Sequence, residues 1–151
     1  MPFKRILLAV DGSEHALNAA QYAAELAKAV SAKVILTTVA KYETIVLDEP
    51  RFQTTVDQTK QKAEHRLAPA KELLEKAGVP YETLILDGPT AEALADAAER
   101  EDADLIVMGS KGHSNLSGLI FGSKAHTLLH IAPCPVLAIR LRHKKKPKPD
   151  A

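Results

Sequence analysis

Glycine and serine residues are concentrated in one segment of the chain, residues 109–124. Four of the seven glycines lie within the 14 residues from Gly109 to Gly122. Glycines let main-chain N–H groups surround an anion, because no Cβ obstructs the approach. A helix beginning near Ser123 would direct its positive end and its free N–H groups at the same place. The segment therefore predicts a binding site for a phosphate chain.

Two better-known phosphate motifs do not match this segment. A P-loop needs a glycine, four residues, and then Gly-Lys-Ser or Gly-Lys-Thr, whereas Gly118, Gly122, Ser123 and Lys124 have the wrong spacing and order. The dinucleotide fingerprint would follow the first strand, where Gly12 stands alone. Both of these classes of nucleotide site are therefore excluded.

Short continuous apolar runs alternate with longer amphipathic stretches, which is typical of a parallel sheet flanked by helices. The five runs that predict strands are 6–10, 34–39, 81–86, 105–108 and 136–139. We expect an α/β fold: a single-domain, doubly wound, five-stranded parallel sheet of order 3-2-1-4-5 with helices on both faces. Such a sheet binds ligands at the carboxyl ends of its strands, where the winding reverses. Here that crevice lies between strands one and four.

Four helices connect these strands. The first is predicted from Ser13, which would cap it, and has its apolar face on Leu17, Ala20, Ala24 and Ala27. The second should run from about Thr55 to Ala77, kink at Pro69 and end at Gly78. The remaining two are predicted at 89–101 and 123–131. The polar stretch 41–52 is predicted to be an irregular loop that could cover the site.

Composition and charge limit the class of protein. The chain has 151 residues, 46% of them hydrophobic, with no Trp, which fits one domain with an aliphatic core. Cys134 is the only cysteine, which excludes an intramolecular disulfide. The apolar run 6–10 is too short for a signal peptide or a membrane span, so we expect a cytoplasmic protein without a membrane partner.

The formal net charge of +1 is unevenly distributed. Residues 1–139 carry 14 basic and 18 acidic residues, whereas the end of the chain is basic. We expect one domain over residues 1–141 and a basic, disordered tail over 142–151. Such a tail could bind nucleic acid, but a solvated tail is the favoured interpretation.

The pattern Gly109, two residues, Gly112, nine residues, Gly122-Ser123 resembles the nucleotide-binding motif of the universal stress protein family, in its ATP-binding type. The resemblance extends over nearly the whole chain, through the segments 6–14, 104–110 and 132–137. It implies a Rossmann-like fold of the adenine nucleotide alpha hydrolase type. It also implies that the ligand is ATP, ADP or AMP, with Mg²⁺ as an accompanying cation.

The resemblance implies roles for single residues. Asp11 would lie near the ribose or a phosphate-bound cation such as Mg²⁺, and the phosphates would be held by Gly109, Gly112, Gly122 and Ser123. The adenine pocket would be lined by Ala9 and Val39 and closed by Met108, and Val10 would be a further cofactor-binding residue. Lys124 replaces a valine of many members and would contact either phosphate or solvent, and His113 could touch phosphate or stay solvated.

Each of these residues also has a structural interpretation. Asp11 could simply cap the first helix, although the intact glycine loop favours a ligand role. Ala9, Val39 and Met108 could be ordinary core residues, and the glycines could serve only a tight turn.

Three classes of function fit this chain. The leading hypothesis is a regulatory protein of the stress response whose conformation or partner depends on bound adenine nucleotide. We expect no efficient ATP hydrolysis, because the sequence offers no positioned general base besides Asp11 and no arginine in the loop. The alternatives are a slow ATPase or nucleotidyl or phosphoryl transferase using the same cleft, and a nucleotide-free dimeric scaffold. As in the resembled family, we expect a homodimer through strand 136–139, an apolar edge strand.

Overall fold

The computed structural model describes residues 3–40, 49–111 and 122–141, with the backbone alone for 49–53. Five parallel strands form one sheet in the order β3-β2-β1-β4-β5, which confirms the predicted topology. The strands are β1 (Arg5–Ala9), β2 (Lys33–Ala40), β3 (Tyr81–Asp87), β4 (Leu105–Gly109) and β5 (Val136–Ile139). The apolar runs of the sequence located both ends of every strand to within one residue.

Four helices cover the two faces of the sheet: α1 (Glu14–Val30), α2 (Glu49–Ala77), α3 (Thr90–Arg100) and α4 (Ser123–Ile131). Successive side chains of a strand point to opposite faces. Accordingly, Ile6 and Leu8 pack in the core shared with α1 and α2. Leu7 packs in the core shared with α3 and α4. The winding therefore reverses between β1 and β4, as expected of a doubly wound sheet.

Helix α1 differs from its prediction in the residues that it buries. Leu17 was expected on the apolar face, yet it is 37% exposed. The helix instead packs on alanines, which are Ala16, Ala19, Ala20, Ala23, Ala24 and Ala27. Small side chains at these positions let the helix lie close to the sheet, and this places Leu17 on the outer side.

Helix α2 begins at Glu49, six residues before the predicted start. Residues 49–52 of the expected loop are therefore helical, and 41–48 lie outside the described residues. The helix contains Pro69 and ends before Gly78, which has the left-handed φ of +70° that favours glycine after a helix. The predicted end is thus confirmed, and the kink at Pro69 stays a prediction.

The length of α2 exceeds that of the strand it follows. Its 29 residues span about 43 Å at 1.5 Å per residue, whereas the eight residues of β2 span about 26 Å. Because Arg66 lies level with the end of β2, where it contacts Val39, residues 49–65 extend beyond the carboxyl edge of the sheet. This half of α2 stands beside the edge where a ligand site is expected.

No helix in the described part of the chain has both the length and the apolarity needed to cross a membrane.

Candidate functional site

A cavity of about 430 Å³ opens at the carboxyl edge of the sheet. The ends of β1, β2 and β4 line it together with the first residues of α3 and α4. This is the crevice at which the winding direction reverses, where doubly wound sheets bind ligands. Its volume is within the range of small-molecule sites.

Nine of the eleven predicted site residues line this one cavity, namely Ala9, Val10, Asp11, Val39, Met108, Gly109, Gly122, Ser123 and Lys124. The other two, Gly112 and His113, lie outside the described residues. Residues from four separate segments of the chain are therefore brought together. Their roles toward a ligand stay predictions.

The apolar side of the cavity is formed on the face of the sheet that α3 and α4 cover. Ala9 and Val39 pack against the core of that face, which also contains Met108 and Leu94. Met108 is buried, and Leu94 of α3 lines the cavity opposite the strand ends. A flat apolar ring is the kind of group that such a wall accepts.

Asp11 is held in place by the turn that leads from β1 into α1. Its Oδ1 accepts a hydrogen bond of 2.9 Å from the N–H of Ser13. Ser13, in turn, caps the helix, because its Oγ accepts a hydrogen bond of 3.1 Å from the N–H of Ala16. The residue that caps α1 is therefore Ser13, and the carboxylate of Asp11 holds the turn before the helix. Asp11 is also one of the residues that line the cavity.

The end of β4 lies unusually close to α1. A Cβ atom on Gly109 would lie 3.0 Å from the carbonyl carbon and oxygen of His15, so only glycine fits here without a shift of the backbone. This contact positions the strand end that starts the glycine-rich segment.

The two ends of the glycine-rich segment are joined by a hydrogen bond. The N–H of Gly122 donates to the carbonyl oxygen of Ser110 at 2.7 Å, and the N–H of Ser110 donates to Ile139 at 2.8 Å. Ser110 is itself buried. Ser110 and Gly122, the described residues on either side of the segment 112–121, are therefore held next to each other by β5 and by the start of α4.

The first turn of α4 provides main-chain donors at the cavity. Gly122 occupies the position before the helix, and no side chain caps the helix there. Within the described ranges, no group accepts a hydrogen bond from the N–H of Ser123, Lys124 or Ala125, and all three residues line the cavity. Unsatisfied amides at the positive end of a helix dipole are a binding site for an anionic oxygen.

The charged side chains that line the cavity are mainly basic. Among the described lining residues, Arg66, Lys111 and Lys124 are basic, and Asp11 is the single acid. The side chains and the helix dipole thus give the cavity an excess of positive charge, which attracts anions. A nucleotide that carries phosphates has the complementary charge.

Arg66 is a lining residue that sequence reasoning missed. It lies in the middle of α2, and no local motif marks it, because only the packing of α2 on β2 brings it to the strand ends. Thr90 and Leu94 of α3 were also missed as site residues. Thr90 could have been found, because it begins the helix that follows β3, and helices of a parallel sheet begin near the carboxyl ends of its strands.

Asp11 carries the one carboxylate among the described residues that line the cavity. The described residues contain no group of three or more His, Cys, Asp or Glu side chains able to hold a metal ion. The carboxylate of Asp11 suits Mg²⁺, which is commonly bound by one or two carboxylates together with substrate phosphates. A magnesium ion therefore fits the described part of this cavity in company with a phosphate-bearing ligand.

The fold and the cavity together define a doubly wound α/β protein with a positively charged crevice at the carboxyl edge of its sheet. The model of the universal stress protein family matches residues 2–140. A universal stress protein of Thermus aquaticus, found in the 3′ region of the QAH/OAS sulfhydrylase gene, is 43% identical over 141 residues, covering 91% of this chain and 99% of the relative. The chain therefore belongs to the universal stress protein family.

Solved structures show the same architecture. The hypothetical protein MJ0577 superposes with a TM-score of 0.84 at 26% identity, covering 95% of this chain and all of that one. A universal stress protein from Archaeoglobus fulgidus in complex with dAMP superposes with a TM-score of 0.67 at 25% identity, covering 91% and 98% of the two chains. Both are similar to this chain over nearly its whole length.

Proposed function

We propose that this chain binds an adenine nucleotide, with ATP as the principal ligand, in the cavity at the carboxyl edge of its sheet. The observation that carries the proposal concerns the start of α4. Residues 123–125 line the cavity there, and their N–H groups have no hydrogen-bond acceptor among the described residues. Donors of this kind bind phosphate oxygens. The Archaeoglobus relative in complex with dAMP supports an adenine nucleotide as the ligand.

The division of the cavity into two chemical halves supports the same ligand. The apolar wall of Ala9, Val39, Met108 and Leu94 suits a purine ring. Lys124 and the first amides of α4 suit phosphates on the other side. Asp11, fixed by Ser13, lies at the turn between β1 and α1 and suits a ribose hydroxyl or the Mg²⁺ that accompanies ATP. Mg²⁺ would there neutralise phosphate charge.

The biological role that follows from this ligand and from the family is regulation. In this proposal the protein acts in the cytoplasm during stress, and bound nucleotide selects its conformation or its partner. A ligand shifts a conformational equilibrium only by its different affinities for the two conformations. In this proposal, the nucleotide binds the α4 amides more tightly in one conformation of the protein than in the other.

The edge strand β5 supports a homodimer as the functional form. Strand β5 has a neighbour only on the β4 side in the described sheet. Leu137 on this strand is 40% exposed, and the nearby α4 exposes Leu129 by 46% and Ile131 by 43%. An apolar edge strand with unpaired main-chain groups is suited to pairing with a second copy. Leu137→Lys should convert the dimer to monomer in sedimentation, whereas Leu17→Lys, at an exposed leucine of α1, should not.

The nucleotide proposal is tested by removing one amide from the start of α4. Proline is accepted at the first position of a helix, and Gly122 has the extended backbone (φ −54°, ψ 149°) that a residue before proline requires. Ser123→Pro therefore deletes the N–H and keeps the helix. Ser123→Ala, which deletes only the hydroxyl, is the matched control.

Binding of ATP to both variants is measured by calorimetry or by competition with a fluorescent analogue. Loss of one hydrogen bond to a charged oxygen should weaken the affinity by about tenfold or more in Ser123→Pro, with a much smaller change in Ser123→Ala. Mass spectrometry of small molecules released from the freshly purified protein identifies the nucleotide. Absence of any adenine nucleotide and of ATP binding by the wild-type protein would refute the proposal.

A further inference from the structure

The side chain of Arg66 crosses from α2 to the carboxyl edge of the sheet. Its Cγ lies 3.2 Å from the position of a Cβ on Gly12. Its Nη1 donates a hydrogen bond of 3.4 Å to the carbonyl oxygen of Val39, at the end of β2. These two contacts place the guanidinium beside the cavity, which Arg66 lines together with Val39 and Asp11.

Gly12 is adapted to this close approach. Its φ is +84°, a conformation that side-chain-bearing residues rarely adopt, and any Cβ would press on the stem of Arg66. The stem therefore packs directly on the turn that carries Asp11. This packing limits the positions that the guanidinium can take.

The positive charge of Arg66 is not neutralised by the described part of the protein. Ion pairs in the described ranges involve Arg5, Lys33, Lys71 and Lys76, and none involves Arg66. Arg66 is half-buried, where a charge interacts more strongly than in bulk water. A half-buried cation at a cavity wall, without a carboxylate within 4.0 Å among these residues, is suited to an anionic ligand.

Among the described residues, Arg66 makes one hydrogen bond, to the carbonyl oxygen of Val39, and this bond uses one of its several donors. A guanidinium has about five N–H donors arranged as a planar fork that matches phosphate oxygens. The 3.4 Å bond to Val39 is long, so it costs little to exchange for a charge-assisted bond to phosphate. Lys124 and the α4 amides line the same cavity from β4's side, whereas Arg66 lines it from the side of β1 and β2.

We propose that Arg66 is a ligand-contacting, specificity-determining residue: it binds a phosphate group of the bound nucleotide and makes the cavity select phosphorylated ligands over the nucleoside. This inference rests on the proposed nucleotide site and adds to it a second cationic wall, opposite α4. A phosphate chain bound in the cavity lies between the two walls.

The test compares the affinities of ATP, AMP and adenosine for the wild-type protein and for Arg66→Gln, by calorimetry or competition. Arg66→Gln should weaken ATP binding by about tenfold or more, weaken AMP binding by less than that, and leave adenosine binding unchanged. Arg66→Lys, which restores the charge without the planar fork, should recover part of the loss. Arg100→Gln, at an exposed arginine in the last turn of α3, removes the same charge elsewhere and should change none of the affinities.

The salt dependence of ATP binding distinguishes a phosphate contact of Arg66 from a merely structural role. If Arg66 contacts phosphate, ATP binding should be less sensitive to salt in Arg66→Gln than in the wild-type protein. If Arg66→Gln only disturbs packing, the salt sensitivity should stay the same. If Arg66→Gln fails to fold, Arg66→Met takes its place in the test, because methionine keeps an unbranched stem against Gly12.

The outcomes separate the two proposals. If the wild-type protein binds ATP and Arg66→Gln binds it equally well, or loses adenosine affinity to the same extent, the role of Arg66 is refuted and the nucleotide site stands. If the wild-type protein binds neither ATP nor AMP, both proposals are refuted.

Discussion

Gly109 at the end of β4 and His15 in the first turn of α1 are in main-chain contact, with 3.0 Å between the position of a Cβ on Gly109 and the carbonyl of His15. Gly109→Ala should destabilise the protein by about 1–3 kcal/mol, the usual cost of adding a carbon to a tightly packed place. Chemical denaturation measures the loss. Because the obstructing atoms are the main-chain carbonyl and the Cβ of His15, all of which alanine keeps, adding His15→Ala should not restore stability; a restored double variant would show that atoms beyond the Cβ of His15 cause the clash.

Two adjacent buried threonines of β2 should respond in opposite directions to valine. The Oγ1 of Thr37 donates a hydrogen bond of 3.1 Å to the carbonyl oxygen of Leu8, whereas the buried Oγ1 of Thr38 has no partner in the described structure. Thr37→Val should cost about 1 kcal/mol, and Thr38→Val should stabilise by about 1 kcal/mol, since a buried hydroxyl without a partner is unfavourable. Each variant is the control of the other in denaturation experiments. Equal effects would show that the two hydroxyls have similar surroundings.

Substitutions at the two ends of α1 should also change the stability of the protein in opposite directions. Ser13→Ala removes the side chain that accepts from Ala16 and should cost about 1 kcal/mol. Ser31 ends the helix at φ 58°, so Ser31→Gly should stabilise by about 0.5–1 kcal/mol. Thermal unfolding of both variants measures these changes. A Ser13→Ala variant as stable as the wild type would argue against the capping hydrogen bond.

Tyr81 should titrate at unusually high pH. Its hydroxyl donates a hydrogen bond of 2.6 Å to the carboxylate of Glu75, and this bond raises its pKa, with smaller contributions from burial and from the charge of Glu75. Ultraviolet titration in a Tyr22→Phe, Tyr42→Phe background isolates this residue, and adding Glu75→Gln should lower its pKa toward the ordinary value.

The same shift makes stability depend on pH in the alkaline range. The folded protein holds the Tyr81 proton more tightly than the unfolded chain does. The stabilisation is therefore complete below the ordinary pKa of tyrosine and is lost as the pH rises through the raised pKa. The Glu75→Gln variant should lack this dependence; an unchanged alkaline profile would exclude the Tyr81 contact as its source.

The parallel sheet and its strand order were predictable from the sequence, because buried strands are continuous apolar runs and right-handed crossovers leave few topologies. The bounds of α4 were also correct, since Gly122 precedes the helix and Pro133 follows it. The cavity was located correctly for the same reason: a switch point follows from strand order alone.

Other features depend on packing and were not predictable. The start of α2 at Glu49 could not be predicted, because the first half of this helix extends past the sheet and its sequence has no sustained pattern of apolar residues at helical spacing. The exposure of Leu17 follows from the close packing of α1, in which alanines take the inner positions. Arg66 reaches the cavity only through tertiary contacts with Gly12 and Val39.

The alanine face of α1 has a thermodynamic consequence. All six buried residues of this helix are alanines, whose burial costs no rotamer entropy. On the helix side, the contact of α1 with the sheet therefore cannot adjust by side-chain rotation. We expect α1 and the strand ends that it packs on to move together when a ligand binds.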